Sequence, residues 1–173
     1  MGTKSALLQA LKSEQDNQIL LLQEFVRAPS PNPPGDTTAA AKPNVVGEFQ
    51  GGKGPGPRVV FNGHIDIFPV GDNMNGWTRD PCSGDLKDGK IHGRGVVDMK
   101  SGTASLVIAY SYLYARRQSL RGSVALSAVS DEETGGSWGT AFLIAQDRGR
   151  WDDDVTLSAE PSGQTFRFSE REL

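Results

Sequence analysis

At 173 residues and a net charge of −3, the chain is long enough for one compact domain and short for two. Neither its charge nor any basic patch interleaved with aromatics draws it to nucleic acid or an anionic membrane, and no run of 18 apolar residues is present to span a bilayer. Lys12, Glu14 and Asp16 break the apolar start, which excludes a secretory signal, and the lone Cys82 excludes an intrachain disulfide or a thiolate metal cage, so a soluble, cytoplasmic protein is the default expectation.

The elements follow in chain order. From about Ser5 to Val26, Leu7, Leu8, Leu11, Leu20, Leu21, Leu22, Phe25 and Val26 form an apolar stripe at helical spacing. The prolines of RAPSPNPPGD stop the helix. KPNVVGEF and RVVFNG are predicted strands joined by a GGKGPGP hairpin turn. Ile67 to His92, scattered with Gly, Pro and Asp, reads as a long ordered loop. MKSGTASLVIAYSYLYARRQ is a helix, with Leu106, Val107, Tyr110, Leu113 and Tyr114 at helical spacing. GSVALSAVS is a continuous apolar strand of the kind buried on both faces of a parallel sheet. SWGTAFLIAQD is a second helix and DVTLSAE a further buried strand. This alternation predicts an α/β fold, a mostly parallel sheet flanked by helices.

Ligands of open parallel sheets bind at the carboxyl ends of strands. RVVFNG runs into His64-Ile65-Asp66, SVALSAV into Asp131-Glu132-Glu133, and VTLSA into Glu160, while Asp98 lies just before a helix. Singly, a His-x-Asp is an ordinary strand end and adjacent acids an ordinary solvated turn. Together they follow successive buried strands, and carboxylates gathered at one sheet edge repel unless cations neutralise them. One His with several carboxylates and no Cys suits zinc, cobalt or manganese. His64 and Asp66 share a face on extended backbone, which lets Asp66 orient the imidazole. Glu132 and Glu133 are adjacent, so one can bind metal while the other faces substrate as a base. His92 reads as a loop histidine and Asp152 to Asp154 as a solvated strand entry. Gly47 to Lys53 has phosphate-loop spacing, but Gly54 stands where Ser or Thr would hold magnesium. Ser130 and Ser158 lack a second plausible histidine partner for a serine triad.

The stretches FNGHIDIFPVGD, GW, GKIHGRGVVDMKSG, SDEETGG and SAEPSG, with the opening LLQEFVRAPSPNPPGD, resemble the di-zinc family of acetylornithine deacetylases, succinyl-diaminopimelate desuccinylases, aminoacylases and carboxypeptidase G. The resemblance covers most of the chain in order. It implies that His64 and Glu160 bind one metal, that Glu133 binds the other, and that Asp98 bridges both. It makes Asp66 the partner of His64, Glu132 the general acid/base, and the peptide bond after Asp98 cis. It further implies hydrolysis of an amide in a small N-acyl amino acid or peptide, with a water acidified between two metals and its proton taken by Glu132.

Members of that family are longer. The resemblance therefore implies that residues 1–173 are the N-terminal part of the catalytic domain, without the lid and dimerisation domain and without a last histidine on the second metal. A helix and an edge strand are expected to be missing between GDTTAAA and KPNVVGEF, and Cys82 stands where an aromatic is common. The expectation is one intact metal site, an impaired second site, marginal stability and weak activity. The alternative is a non-catalytic fragment that binds at most one metal.

Overall fold

The computed structural model describes residues 3–32, 44–71 and 76–161. Helices α1 (Thr3–Ser13) and α2 (Gln15–Arg27) precede strands β1 (Val45–Gln50) and β2 (Arg58–His64). A small hairpin of β3 (Asp85–Lys87) and β4 (Lys90–His92) leads to α3 (Ser101–Ala115). Then come β5 (Ser123–Val129), α4 (Thr140–Gln146) and β6 (Val155–Ser158).

The most apolar run becomes the middle of the sheet. Every residue of β5 is buried, and the four strands lie in the order β1-β5-β2-β6. β2 runs parallel to both β5 and β6, and β1 runs antiparallel to β5. Two of the three pairings are thus parallel, and the predicted mostly parallel α/β sheet flanked by helices is what forms. Phe49, Phe61, Leu106, Val124 and Leu126 make the core where α3 lies on the sheet, with Tyr110 and Leu113 packed against them. Phe49 meets the edges of Tyr110 and Tyr114 at ring separations of 5.3 and 5.7 Å. Gly47 makes room there, because a Cβ on it would lie 2.9 Å from the Tyr110 hydroxyl. None of the helices is long and apolar enough to cross a membrane, among the described residues.

Four sequence expectations are corrected. The first helical segment is two helices meeting at Glu14, whose φ/ψ of −111°/14° is non-helical. Residues 12–18 contain no apolar side chain, so no stripe holds one straight helix across them. β1 and β2 are not a hairpin, because β5 lies between them. Their connecting turn instead bonds the chain entering β5, with Gly51 N–H donating to Gly122 O (2.7 Å) and Lys53 N–H to Leu120 O (2.9 Å). The 67–92 loop contains the β3–β4 hairpin, turned by Asp88 (φ 52°) and Gly89 (φ 72°), an Asp-Gly pair that tolerates left-handed backbone. His92 is therefore a strand end paired with Asp85 rather than a loop residue. Finally, β6 is an exposed outer strand, with Leu157 38% exposed, because only β2 pairs with it. The piece expected to be missing before KPNVVGEF falls at residues outside the described ones.

Candidate metal centre

The ends of β2, β5 and β6 and the entry to α3 deliver the ionisable residues to one place. His64 ends β2 and is 1% exposed. Its backbone is clamped on both sides: its N–H donates to Met99 Sδ (3.3 Å), and its carbonyl accepts from the Thr103 hydroxyl (2.6 Å). Ring Nδ1 faces the Asp66 carbonyl at 3.0 Å and Asp66 Oδ1 at 3.3 Å. That leaves Nε2 pointing at acids: Asp98 Oδ1 at 3.2 Å, Glu132 Oε2 at 3.6 Å and Glu160 Oε1 at 3.8 Å. Glu133 closes the group, since ligand atoms of His64, Asp98 and Glu133 all lie within 4.8 Å of one another.

Asp66, 2% exposed, ties the histidine to the acidic turn. Its Oδ1 accepts the N–H of Glu132 (3.3 Å), and its Oδ2 accepts that of Glu133 (3.1 Å). Glu133 is anchored a second time, its Oε1 accepting the Phe68 N–H at 3.1 Å. Asp98 sits in non-helical backbone (φ −115°, ψ 102°) ahead of α3, and the Asp98–Met99 peptide bond is cis, as the resemblance implies. Gly95 shapes that loop at φ +74°, and a Cβ on it would lie 2.2 Å from Ile67 Cγ2. Gly95→Ala should therefore cost about 2–4 kcal/mol of stability, left-handed strain plus overpacking. Gly54→Ala, also at positive φ but with nothing within 4 Å, should cost only about 1 kcal/mol when the two variants are compared by urea titration.

The electrostatics carry the mark of unneutralised acids. Burial alone would depress the His64 pKa, but the hydrogen bond and charge of Asp66 and the charge of Glu160 outweigh it and push it up to about 9. Burial raises Glu133, and the neighbouring Asp98 charge adds to it. Burial also raises Glu160, where repulsion from Asp98, Glu132 and Glu133 works against the pull of His64. Asp66 lies low despite burial, because His64, Asn32 and the Glu133 N–H bond its charged form. Among the described residues no lysine or arginine pairs with these acids. The buried Lys100 is spent on the carbonyls of Phe25 (2.8 Å) and Ala28 (2.7 Å) at the end of α2. A cluster of hard oxygen donors around one imidazole, short of positive charge, fits a divalent cation.

Beside the acids opens a cleft of about 360 Å³, lined by Phe68, Trp77, Arg94, Val97, Asp98 and Glu133 among others. Arg94 lies over the Trp77 ring at 5.3 Å and donates to Pro69 O at 3.2 Å. The sequence pattern gave no role to Asn32 or Asp131, which are 1% and 2% exposed and joined to each other at 3.3 Å. The side-chain partners of Asn32 are 34 to 102 positions away in sequence, so no local motif marks it.

Comparison with known proteins agrees with this geometry. A succinyl-diaminopimelate desuccinylase of Gluconacetobacter diazotrophicus is 35% identical over 155 residues, 78% of this chain and 40% of that protein. One from Bradyrhizobium is 42% identical over 112 residues, 63% of this chain and 29% of that protein. The chain thus spans less than half the length of these relatives. Human carnosine dipeptidase 1 shares the fold at a TM-score of 0.71 and 20% identity, over 91% of this chain and 41% of that one. A dinuclear metal-binding peptidase of family M20 from Bacillus subtilis does so at 0.57 and 17%, over 85% and 43%. Residues 60–168, the stretch that carries every acid of the cluster and its histidine, match the pattern of peptidase family M20/M25/M40, and the chain belongs to that family.

Proposed function

We propose that this chain is the metal-binding part of the catalytic domain of a hydrolase that cleaves amide bonds, deacylating N-acyl amino acids or cleaving small peptides. The observation that supports it most is the convergence of Asp98, Glu132 and Glu160 on the Nε2 of one buried histidine. The desuccinylase and dipeptidase names of its relatives and structural neighbours favour small substrates of this class.

In this reading His64, Asp98 and Glu160 hold one zinc ion, and Asp98 with Glu133 contributes to a second; cobalt or manganese would suit the same donors. Bound zinc supplies Lewis acidity toward water and the amide carbonyl. Asp66 fixes the imidazole with Nε2 forward, a role that its 3.3 Å contact with Nδ1 supports. Glu132, half exposed beside that nitrogen, takes the proton of the attacking water and returns it to the departing amine. Among the described residues, Arg94 is the only cation lining the adjacent cleft, where it would face a substrate carboxylate and offset the acids around it.

Within residues 1–173 the second metal has fewer donors than the first. The chain has two histidines, and His92 lies in the hairpin opposite Asp85. Metal analysis of the purified chain tests the reading together with hydrolysis of an N-acyl amino acid. Close to one tightly held zinc with measurable turnover supports it. Zinc without turnover would reduce the chain to a metal-binding unit, and no zinc at all would sink the proposal.

A further inference from the structure

We propose that Asn32 is a positioning residue for the metal centre: its buried amide sets the register between the acidic turn after β5 and the histidine at the end of β2. This inference rests on the metal reading above.

Asn32 reaches the site from the segment after α2, and its backbone is locked to the chain beyond β2. Its N–H donates to Ile67 O (2.8 Å), the Ile67 N–H donates to Ser30 O (3.0 Å), and the Ser30 hydroxyl donates to Ile65 O (2.6 Å). Those bonds fix where the side chain can go. The amide nitrogen then lies 3.0 Å from Asp66 Oδ2, 2.8 Å from Thr134 Oγ1 and 3.3 Å from Asp131 Oδ1. Two N–H groups are thus set among three acceptors on two elements, the two carboxylates among them buried. Asp66 and Asp131 are each 2% exposed, so two carboxylates face a shared, water-poor space. A neutral double donor between them satisfies both without adding charge. A lysine would bring a further buried charge, and an aspartate would bring a third carboxylate.

The consequence passes through Asp66. One of its oxygens takes the Asn32 amide and the Glu133 N–H, while the other takes the Glu132 N–H and faces His64 Nδ1. The rotation of that one carboxylate therefore sets the imidazole direction and the position of both glutamates together. Asp131, held by the same amide, ties the rest of the turn through the Thr134 hydroxyl (2.7 Å) and the Trp138 N–H (2.9 Å). Removing the Asn32 amide frees Asp66 to turn and lets the acidic turn drift from His64, which loosens the metal site without removing a ligand.

The test compares Asn32→Ala with Thr134→Val in the full chain. Thr134→Val disturbs the same network but removes no bond to Asp66. Two quantities are read: the zinc Kd by chelator competition, and hydrogen exchange at the Glu132 and Glu133 amides. Asn32→Ala should weaken zinc about 10–100-fold, as loss of a group that orients metal ligands does, and should speed exchange at both amides. Thr134→Val should shift the zinc Kd less than about threefold. If Asn32→Ala does not fold, Asn32→Ser, which keeps a short donor, takes its place in the comparison. The proposal is overturned if the two variants move zinc affinity alike, or if the Asn32 variant leaves both readouts unchanged. A wild-type chain that binds no zinc would remove the metal reading alone; exchange at Glu132 and Glu133 would then decide the positioning role, with unchanged protection counting against it.

Discussion

Stripped of divalent cations by a chelator, the chain should lose stability as the pH rises from about 6.5 to about 8, and saturating zinc should flatten that decline. The reason lies in His64, whose folded pKa of about 9 stands above its ordinary 6.5. A group raised in this way stabilises the fold fully below its unfolded value, and that stabilisation is lost as the pH climbs through the folded one. For His64 the stabilisation at stake is on the order of 3 kcal/mol. Glu133 and Glu160, also raised, retain protons in the folded state that the unfolded chain has already released, so they add a decline of the same sign on the acid side of that window. Asp66 works the other way. Its depressed pKa contributes stability above 3.8 that is lost on further acidification. Lys100 is depressed to about 8 and begins to oppose the trend only above that value, which is why the clean window ends there. A cation needs the imidazole without its proton, so zinc affinity should rise about tenfold per pH unit through this window. Urea titrations at several pH values in this window should show stability falling with chelator and nearly level with saturating zinc. An equally steep decline in both would show that His64 does not take the metal. His64→Ala should flatten the chelated curve and remove most of the zinc effect.

Much of this site was legible because its residues stand directly after apolar runs. Burial of β5 and of the inner part of β2 follows from those runs, and a polar residue after a buried strand has few places to go except the sheet edge. His64, Asp66, Glu132, Glu133 and Glu160 could be picked out for that reason and Asp98 for its place just before a helix, and the structure brings them together. What sequence could not carry was pairing and neighbourhood. The turn between β1 and β2 looks like a hairpin turn, yet a strand more than 60 positions further on occupies the space between them. VTLS has the apolarity of an inner strand, but exposure depends on whether anything lies beyond it, and β6 is paired on one side only. Asn32 hides among prolines, and its meaning comes entirely from Asp66, Asp131 and Thr134. The hairpin in the 67–92 stretch was the one readable miss: Asp88-Gly89 signals its turn, but three-residue strands are too short for alternation to register.

Glu132→Gln should leave the zinc content unchanged and lower turnover by about 10²–10⁴-fold, the contribution of a positioned general base. Gln keeps the shape of the side chain and can still donate or accept a hydrogen bond, but it cannot carry a proton from water to the leaving amine. The neighbouring Glu133→Gln should act on the metal instead. Glu133 is held by the Phe68 N–H at 3.1 Å and belongs to the tight ligand grouping with His64 and Asp98, whereas the Glu132 side chain is 52% exposed and 3.6 Å from His64 Nε2. Weakening one donor of the less complete site should cost bound metal first and activity as a consequence, so excess zinc should restore part of the activity of Glu133→Gln and none of that of Glu132→Gln. The pair separates chemistry from binding even where the chain is slow, because each variant is judged against the wild-type rate and by its response to added metal. If zinc rescues Glu132→Gln, that residue is a ligand and the two adjacent glutamates exchange roles. If both variants keep full metal and full rate, the base lies elsewhere in the cleft, and the acidic turn serves only to hold the site in shape.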